Sequence, residues 1–170
     1  MALGTLYLVG TPIGNLDDIT MRAIKTLQSV DLIAAEDTRH TGKLLHHFQI
    51  ETPQISYHTH NSHARVPELL TQLQDGKSMA LVSDAGMPSI SDPGLELVQA
   101  CIAANIVVVP IPGVSACTTA LVASGLLTHS FIFAGFLATD SQLRRSQLEQ
   151  LKIESRTIVM YEAPHRLVRT

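Results

Sequence analysis

The chain has 170 residues, enough for one sizeable core, or for a small domain plus part of a second. With 45% hydrophobic and 16% charged residues it carries too much apolar material for a disordered or fibrous chain, and a compact α/β globule fits it. The net charge of −3, the 4% aromatic content and the lack of Trp exclude a broad basic footprint and a base-stacking platform; a nucleic-acid substrate would need local patches or a partner subunit.

Short apolar runs alternate with amphipathic segments, the pattern of βαβ units and a mainly parallel sheet. The first run, Leu3 to Gly10, is too short for a signal sequence, and no run approaches the roughly 20 apolar residues that span a bilayer, so a cytoplasmic protein without membrane contact is expected. Strands are expected at Thr5–Val9, Leu32–Ala35, Gln54–Ser56, Ala80–Val82 and Val107–Ile111, with helices at Thr20–Ser29, Thr41–Phe48, Ser62–Gln74 and Gly94–Ala104. Asp75-Gly76 supplies the turn after the third helix, and Ser91-Asp92-Pro93 supplies a capping aspartate and a first-turn proline for the fourth. A helix at Val114–Ser124 ends at Gly125. A new unit follows, with a strand at Phe131–Ala134, a polar helix at Ser141–Leu151, a strand at Thr157–Tyr161 and a helix after Pro164.

The switch near Pro112-Gly113 divides the chain into residues 1–112 and 113–170. Two strands and a nascent helix give the second domain the look of a truncated one. The fold expected is therefore two α/β domains, the first with a mainly parallel sheet and the second with a mixed, incomplete one. Cys101 and Cys117 sit in apolar helical stretches with neither disulfide nor zinc spacing, and read as buried free thiols.

Ligands of open α/β sheets bind beyond the carboxyl ends of the strands. The unusual residues gather in the loops that follow strands: Gly10 to Asn15, Glu36 to Arg39, Tyr57 to Asn61, Ser83 to Gly94, and Pro112 to Ala116. The first loop is not a dinucleotide fingerprint. Pro12 replaces the middle glycine, the next helix starts late, and Asp17 and Asp18 would repel a pyrophosphate. The Gly, Pro, Asp and Ser of 83–94 expose backbone polar groups and present Asp84, which can accept hydrogen bonds from hydroxyl or ammonium groups or, alternatively, cap its own turn. His58, His60 and His63 lack a second ligand set, so no metal is expected; His40, His46 and His47 read as a solvated helix face.

Read in order, VGTPIGNLDDIT, AEDTRHTGKLL, YHTHN, SDAGMPSISDPG, PGVSACTTALVASGL, FAGFL and YEAPHRL resemble the tetrapyrrole methylases, and within them the ribosomal RNA small subunit methyltransferase I group. The resemblance implies 2′-O-methylation of a cytidine in 16S ribosomal RNA by a homodimer, with S-adenosylmethionine held between two domains. Carried over by motif, the donor contacts would be Pro12, Ile13, Asp84, Met87, Ser115 and Ala116, with Met160 and Tyr161 near the adenine. Met87 stands where the family usually has Thr, and Phe136 to Asp140 replaces a more basic continuation, although Arg144 and Arg145 follow.

A group that takes the ribose proton could be Glu36, Asp37, His60, or Glu162 with His165, and sequence does not choose among them. For Glu36 and Asp37, an ion pair with Arg39 is the structural alternative. Arg39, Lys43, His165 and Arg166 are the expected phosphate contacts, with Asn61 either facing RNA or forming a polar turn. Competing functions are a small-molecule or tetrapyrrole methylase of the same fold, and a non-catalytic RNA-binding or assembly module.

Overall fold

A computed structural model describes residues 2–168. The described chain divides into two compact units, one ending at Ser115 and the next beginning at Ala116.

The first unit runs β1 (Thr5–Val9), α1 (Met21–Ser29), β2 (Leu32–Ala35), α2 (Thr38–His47), β3 (Gln54–Ser56), α3 (Ser62–Gln74), β4 (Met79–Val82), α4 (Leu95–Ala103) and β5 (Val107–Ile111). Its strands form one parallel sheet in the order β3-β2-β4-β1-β5. The near-continuous apolar runs of β2 and β4 have a simple cause: every residue in them is buried, because both faces of the sheet are covered. Leu6, Leu32, Ala34, Met79 and Leu81 pack with Leu69 and Leu73 of α3 and Leu97 and Cys101 of α4. The alternate residues Val9, Ile33, Ala35, Ala80 and Val82 pack with Ala23 and Leu27 of α1 and Leu45 of α2.

This layering positions the site. β1 and β4 are neighbours, yet the helix after β1 covers one face and the helix after β4 covers the other. Their outgoing loops therefore part at the sheet edge and open a crevice between them.

Helices α1 and α4 start one residue later than expected and α2 three residues earlier. The α2 helix begins at Thr38 rather than Thr41, because the Asp37 carboxylate accepts the Arg39 amide at 2.8 Å and caps the turn. Asp92 does not cap α4. That position belongs to Gly94, which makes no side-chain cap bond. Ser89 and Ser91 adopt left-handed φ values of 69° and 61°, so the loop coils before the helix begins and turns Asp92 onto the Ser83 side chain.

The second unit contains α5 (Ala116–Ala123), β6 (Phe131–Phe136), α6 (Ser141–Leu151) and β7 (Thr157–Tyr161). Its two described strands pair in parallel, with a bulge between Phe133 and Gly135, where a mixed sheet is expected. Asp140 caps α6 by accepting the Gln142 and Leu143 amides. The helix expected after Pro164 is a series of turns across 164–168; Glu162 takes the Ala163 amide and pairs with the Arg166 side chain, holding the segment in a tight bend. Residues 169 and 170 of that expected helix lie outside the described residues. Among the described residues no helix is long and apolar enough to cross a membrane.

Candidate active site

Three loops meet at the carboxyl edge of the sheet. Thr11 and Gly86 exchange backbone hydrogen bonds of 2.9 and 3.0 Å, and the Thr11 hydroxyl donates to the Ser83 carbonyl at 3.0 Å, which ties the loop after β1 to the loop after β4. Gly86 has φ of 86°, a conformation that glycine alone adopts at little cost. On the other side, Gly10 and Gly113 stack backbone on backbone: a Cβ on Gly10 would lie 2.7 Å from the Gly113 Cα and from the Met87 sulfur.

Beside this seam stands a group of carboxylates held by reciprocal bonds. The Asp84 amide donates to the Glu36 carboxylate at 3.2 Å, and the Asp37 amide donates to the Asp84 carboxylate, also at 3.2 Å. The register of β2 against β4 sets both bonds, since Ala35 pairs with Val82 and the acids come within two residues of their strand ends.

The environments separate these acids chemically. Burial pushes the Glu36 carboxyl above its ordinary value, and the charges of Asp84 and Asp37 add to that, against the Asp84 amide bond and nearby His58. Asp37 goes the other way: the Arg39 guanidinium hydrogen-bonds it at 2.7 and 3.1 Å and holds it far below the usual carboxylate range. Of the two neighbours, Glu36 is the better proton acceptor near neutral pH, and Asp37 is committed to its ion pair.

Asp92 is pushed up to about 6, by burial first and then by the charges of Glu36 and Asp84, against a hydrogen bond from Ser83. With the folded value above the unfolded one, the native state binds more protons over the interval between them. Stability therefore falls as pH rises from about 4 to 6. Asp92→Asn removes that loss: its melting midpoint should exceed wild type at pH 7 and match it below about pH 4. Equal midpoints at pH 7 would show that Asp92 titrates normally.

The loop and acid residues border two hollows. One, of about 460 Å³, is lined by 11–16 of the first loop, by His40, Thr41, Lys43 and Leu44 of α2, and by Ser83 to Ala85. The other, of about 300 Å³, is lined by Glu36 to Arg39 with Ser56 and His58. Pro12, Ile13, Lys43 and Asp84 are thus brought together in the first hollow, and Glu36, Asp37 and Arg39 in the second.

Met87 lies against Gly10, and half-buried Ser115 ends the same unit. Exposed His60 stands one ring from the second hollow, 5.8 Å from His58. Asn61 closes a polar turn: its side-chain oxygen accepts the His58 amide at 2.8 Å and its amide donates to the Ser56 carbonyl at 3.1 Å. Tyr57 is fully buried in the core and leaves its loop to His58 and beyond.

Within the second unit, the Tyr161 hydroxyl accepts the Cys117 amide at 3.2 Å, and its ring packs edge-on against Phe133 and Phe136. Ala116 opens α5, and Met160 is 41% exposed. Glu162 and Arg166 form a largely buried pair at 3.3 Å, so each already has a charged partner, whereas His165 is exposed.

Sequence reasoning did not single out Thr41, and it read Ser83 only as the first residue of its loop. Both are buried polar residues, and nothing in the local sequence, Thr41 between His40 and Gly42 or Ser83 before Asp84, announces that burial. The assignment of Asp92 to a cap hid its place among the acids.

The model for the tetrapyrrole (corrin/porphyrin) methylases matches residues 5–170. The chain is similar to ribosomal RNA small subunit methyltransferase I of Synechocystis sp., 65% identical over 168 residues, which is 99% of this chain and 60% of that protein. Its similarity to the protein of that name from Bacillus subtilis is 54% over 168 residues, 99% of this chain and 58% of the relative. The chain thus spans about three fifths of the length of these curated relatives. Among solved structures, uroporphyrin-III C-methyltransferase of Thermus thermophilus, in complex with S-adenosylhomocysteine, superposes with a TM-score of 0.65. That likeness covers 98% of this chain and 73% of the other at 20% identity, and speaks to the fold.

Proposed function

The chain belongs to the tetrapyrrole (corrin/porphyrin) methylase family, and from that membership we propose that it serves S-adenosylmethionine-dependent 2′-O-methylation of a cytidine in the 16S RNA of the small ribosomal subunit. The observation that carries the reading is the 65% identity, across nearly the whole chain, to a relative named ribosomal RNA small subunit methyltransferase I. The protein is proposed to work as a homodimer in the cytoplasm, where its RNA partner resides.

The sheet edge suits such a donor. S-adenosylmethionine has no phosphate, so Pro12, which has no amide hydrogen to offer, costs nothing there. It carries a cationic sulfur, and Glu36, Asp84 and Asp92 form an acidic surround at that edge. When bound, it supplies an electrophilic methyl group.

The remaining work falls to the residues. The close approach of Gly10 and Gly113 leaves a thin, rigid backbone wall against which a ligand can lie. Asp84, fixed by the Asp37 amide, accepts a hydrogen bond and orients the donor. As the oxygen–methyl bond forms and the sulfur–methyl bond breaks, the ribose hydroxyl loses its proton; Glu36, with its raised affinity for protons, is the proposed acceptor. Aligning oxygen, methyl and sulfur supplies much of the acceleration. Arg39 and Lys43, both exposed, would meet the RNA backbone.

Full-length protein incubated with small ribosomal subunits and methyl-labelled donor should place label on one cytidine ribose. Label confined to a tetrapyrrole or another small molecule would refute the RNA assignment. No label anywhere, with the donor bound, would favour a binding or assembly module.

A further inference from the structure

We propose that the hollow between the first loop and α2 is the acceptor pocket, taking one unstacked nucleoside of the RNA, and that Thr41 is the side chain that reads its base. The inference rests on the methyltransferase reading above and adds the place and chemistry of recognition.

The hollow has the size and lining of a small-ligand site. Its volume is about 460 Å³, and Pro12, Ile13, Leu16 and Leu44 give it apolar walls suited to a flat ring. Enzymes that modify a nucleotide in place draw it out of its stack into such a pocket, at least cost where the strand is already unpaired.

Thr41 supplies the second, independent observation. It is 2% exposed, it is one of the residues lining the hollow, and its hydroxyl oxygen, itself almost wholly covered, has no hydrogen-bond partner among the described residues. Buried hydroxyls rarely go unpaired, and the other helical threonine of this core shows the usual solution. Thr26 donates to the Arg22 carbonyl one turn back at 2.9 Å. The equivalent carbonyl for Thr41 is that of Asp37, which takes only the Thr41 amide, at 2.9 Å. A free hydroxyl can donate to or accept from the Watson–Crick edge of a base.

Charge separates this occupant from the donor. Lys43 is exposed on the rim and has no ion pair among the described residues; a cation there opposes a sulfonium and favours a polyanion. Of the proposed donor contacts, Pro12, Ile13 and Asp84 line the hollow while Met87 and Ser115 do not, so the nucleoside and the donor share that one wall. Asp84 borders the hollow, so a ribose seated there lies close to the acid group that includes Glu36.

The test compares Thr41→Val and Thr41→Ser with wild type in the full-length protein, using small subunits with cytidine or uridine at the target position. Thr41→Val keeps the shape and removes the hydroxyl. It should lower kcat/KM for the cytidine target by roughly threefold to tenfold, through KM, and narrow the preference over uridine. S-adenosylmethionine affinity by calorimetry should stay unchanged, the melting midpoint should hold or rise, and Thr41→Ser should restore both rate and preference. Unchanged kcat/KM and preference in Thr41→Val, with wild type active, would overturn the pocket assignment and leave the methyltransferase reading standing. An equal fall in donor affinity would give the hollow to the donor and overturn it too. A wild-type protein that labels no RNA would overturn both readings together.

Discussion

Asp84→Asn is expected to weaken S-adenosylmethionine binding by roughly tenfold to a hundredfold while leaving the melting midpoint within a few degrees of wild type. The substitution keeps a side-chain oxygen that can still accept the Asp37 amide, now bonded at 3.2 Å, so the tie between the loops after β2 and β4 survives. What disappears is a negative charge, and hydrogen bonds to charged groups contribute about 1.5–3 kcal/mol. Calorimetric titration measures the affinity directly, and undiminished affinity would remove Asp84 from the donor site.

A second readout follows from the neighbour. The Asp84 charge is one of the influences that raise the Glu36 carboxyl, after burial. Without it, Glu36 ionises at lower pH. Activity that depends on Glu36 as proton acceptor rises as that group loses its proton, so the acid limb of kcat at saturating donor should move to lower pH in Asp84→Asn. An unmoved limb would assign the proton to another group, with His58 lining the hollow and His60 one ring beyond it.

Much of this site was legible in the sequence because its loops follow strands that are easy to see. The runs LIAA and MALV announce buried parallel strands, and the unusual residues directly after them fall at the carboxyl edge by construction. Helix α3 kept its expected bounds, Ser62–Gln74, even with exposed Pro67 inside it, because Leu69 and Leu73 anchor its inner face. The strand order was a different matter. It is a long-range property, and only once β2 lies beside β4 do Glu36 and Asp84 become partners.

Two further features escaped for local reasons. Left-handed backbone at Ser89 and Ser91 has no strong residue signature, so Asp92 looked like a cap when it was an inward acid. Thr41 occupies a helix whose polar residues read as solvated; burial beneath the first loop, which no periodicity shows, makes it a candidate recognition group.

Gly113→Ala should cost roughly 1–3 kcal/mol of stability and, more severely, lower methyl-transfer activity by about a hundredfold. A Cβ at this position would lie 2.8 Å from the Gly10 Cα, 3.1 Å from its carbonyl carbon and 3.2 Å from its oxygen. All are backbone atoms, so no side chain can swing aside and the loops after β1 and β5 must move apart. The strands themselves resist, being paired in register from Thr5 with Val107 to Val9 with Ile111. Displacement therefore falls on the loop that carries Pro12 and Ile13, where a shift of a few tenths of an ångström misplaces the proposed donor against its acceptor. Chemical denaturation reads the first effect and steady-state methylation the second. The separation of the two is the critical result: a Gly113→Ala protein that loses stability yet keeps its rate below the melting transition would show that the seam between Gly10 and Gly113 serves packing alone. Gly10→Ala probes the same seam from the other strand, through contacts at 2.7 Å with the Gly113 Cα and the Met87 sulfur, and the thioether can yield where backbone cannot. If the backbone contact is what matters, the two variants should fail alike, and Met87→Ala should rescue neither.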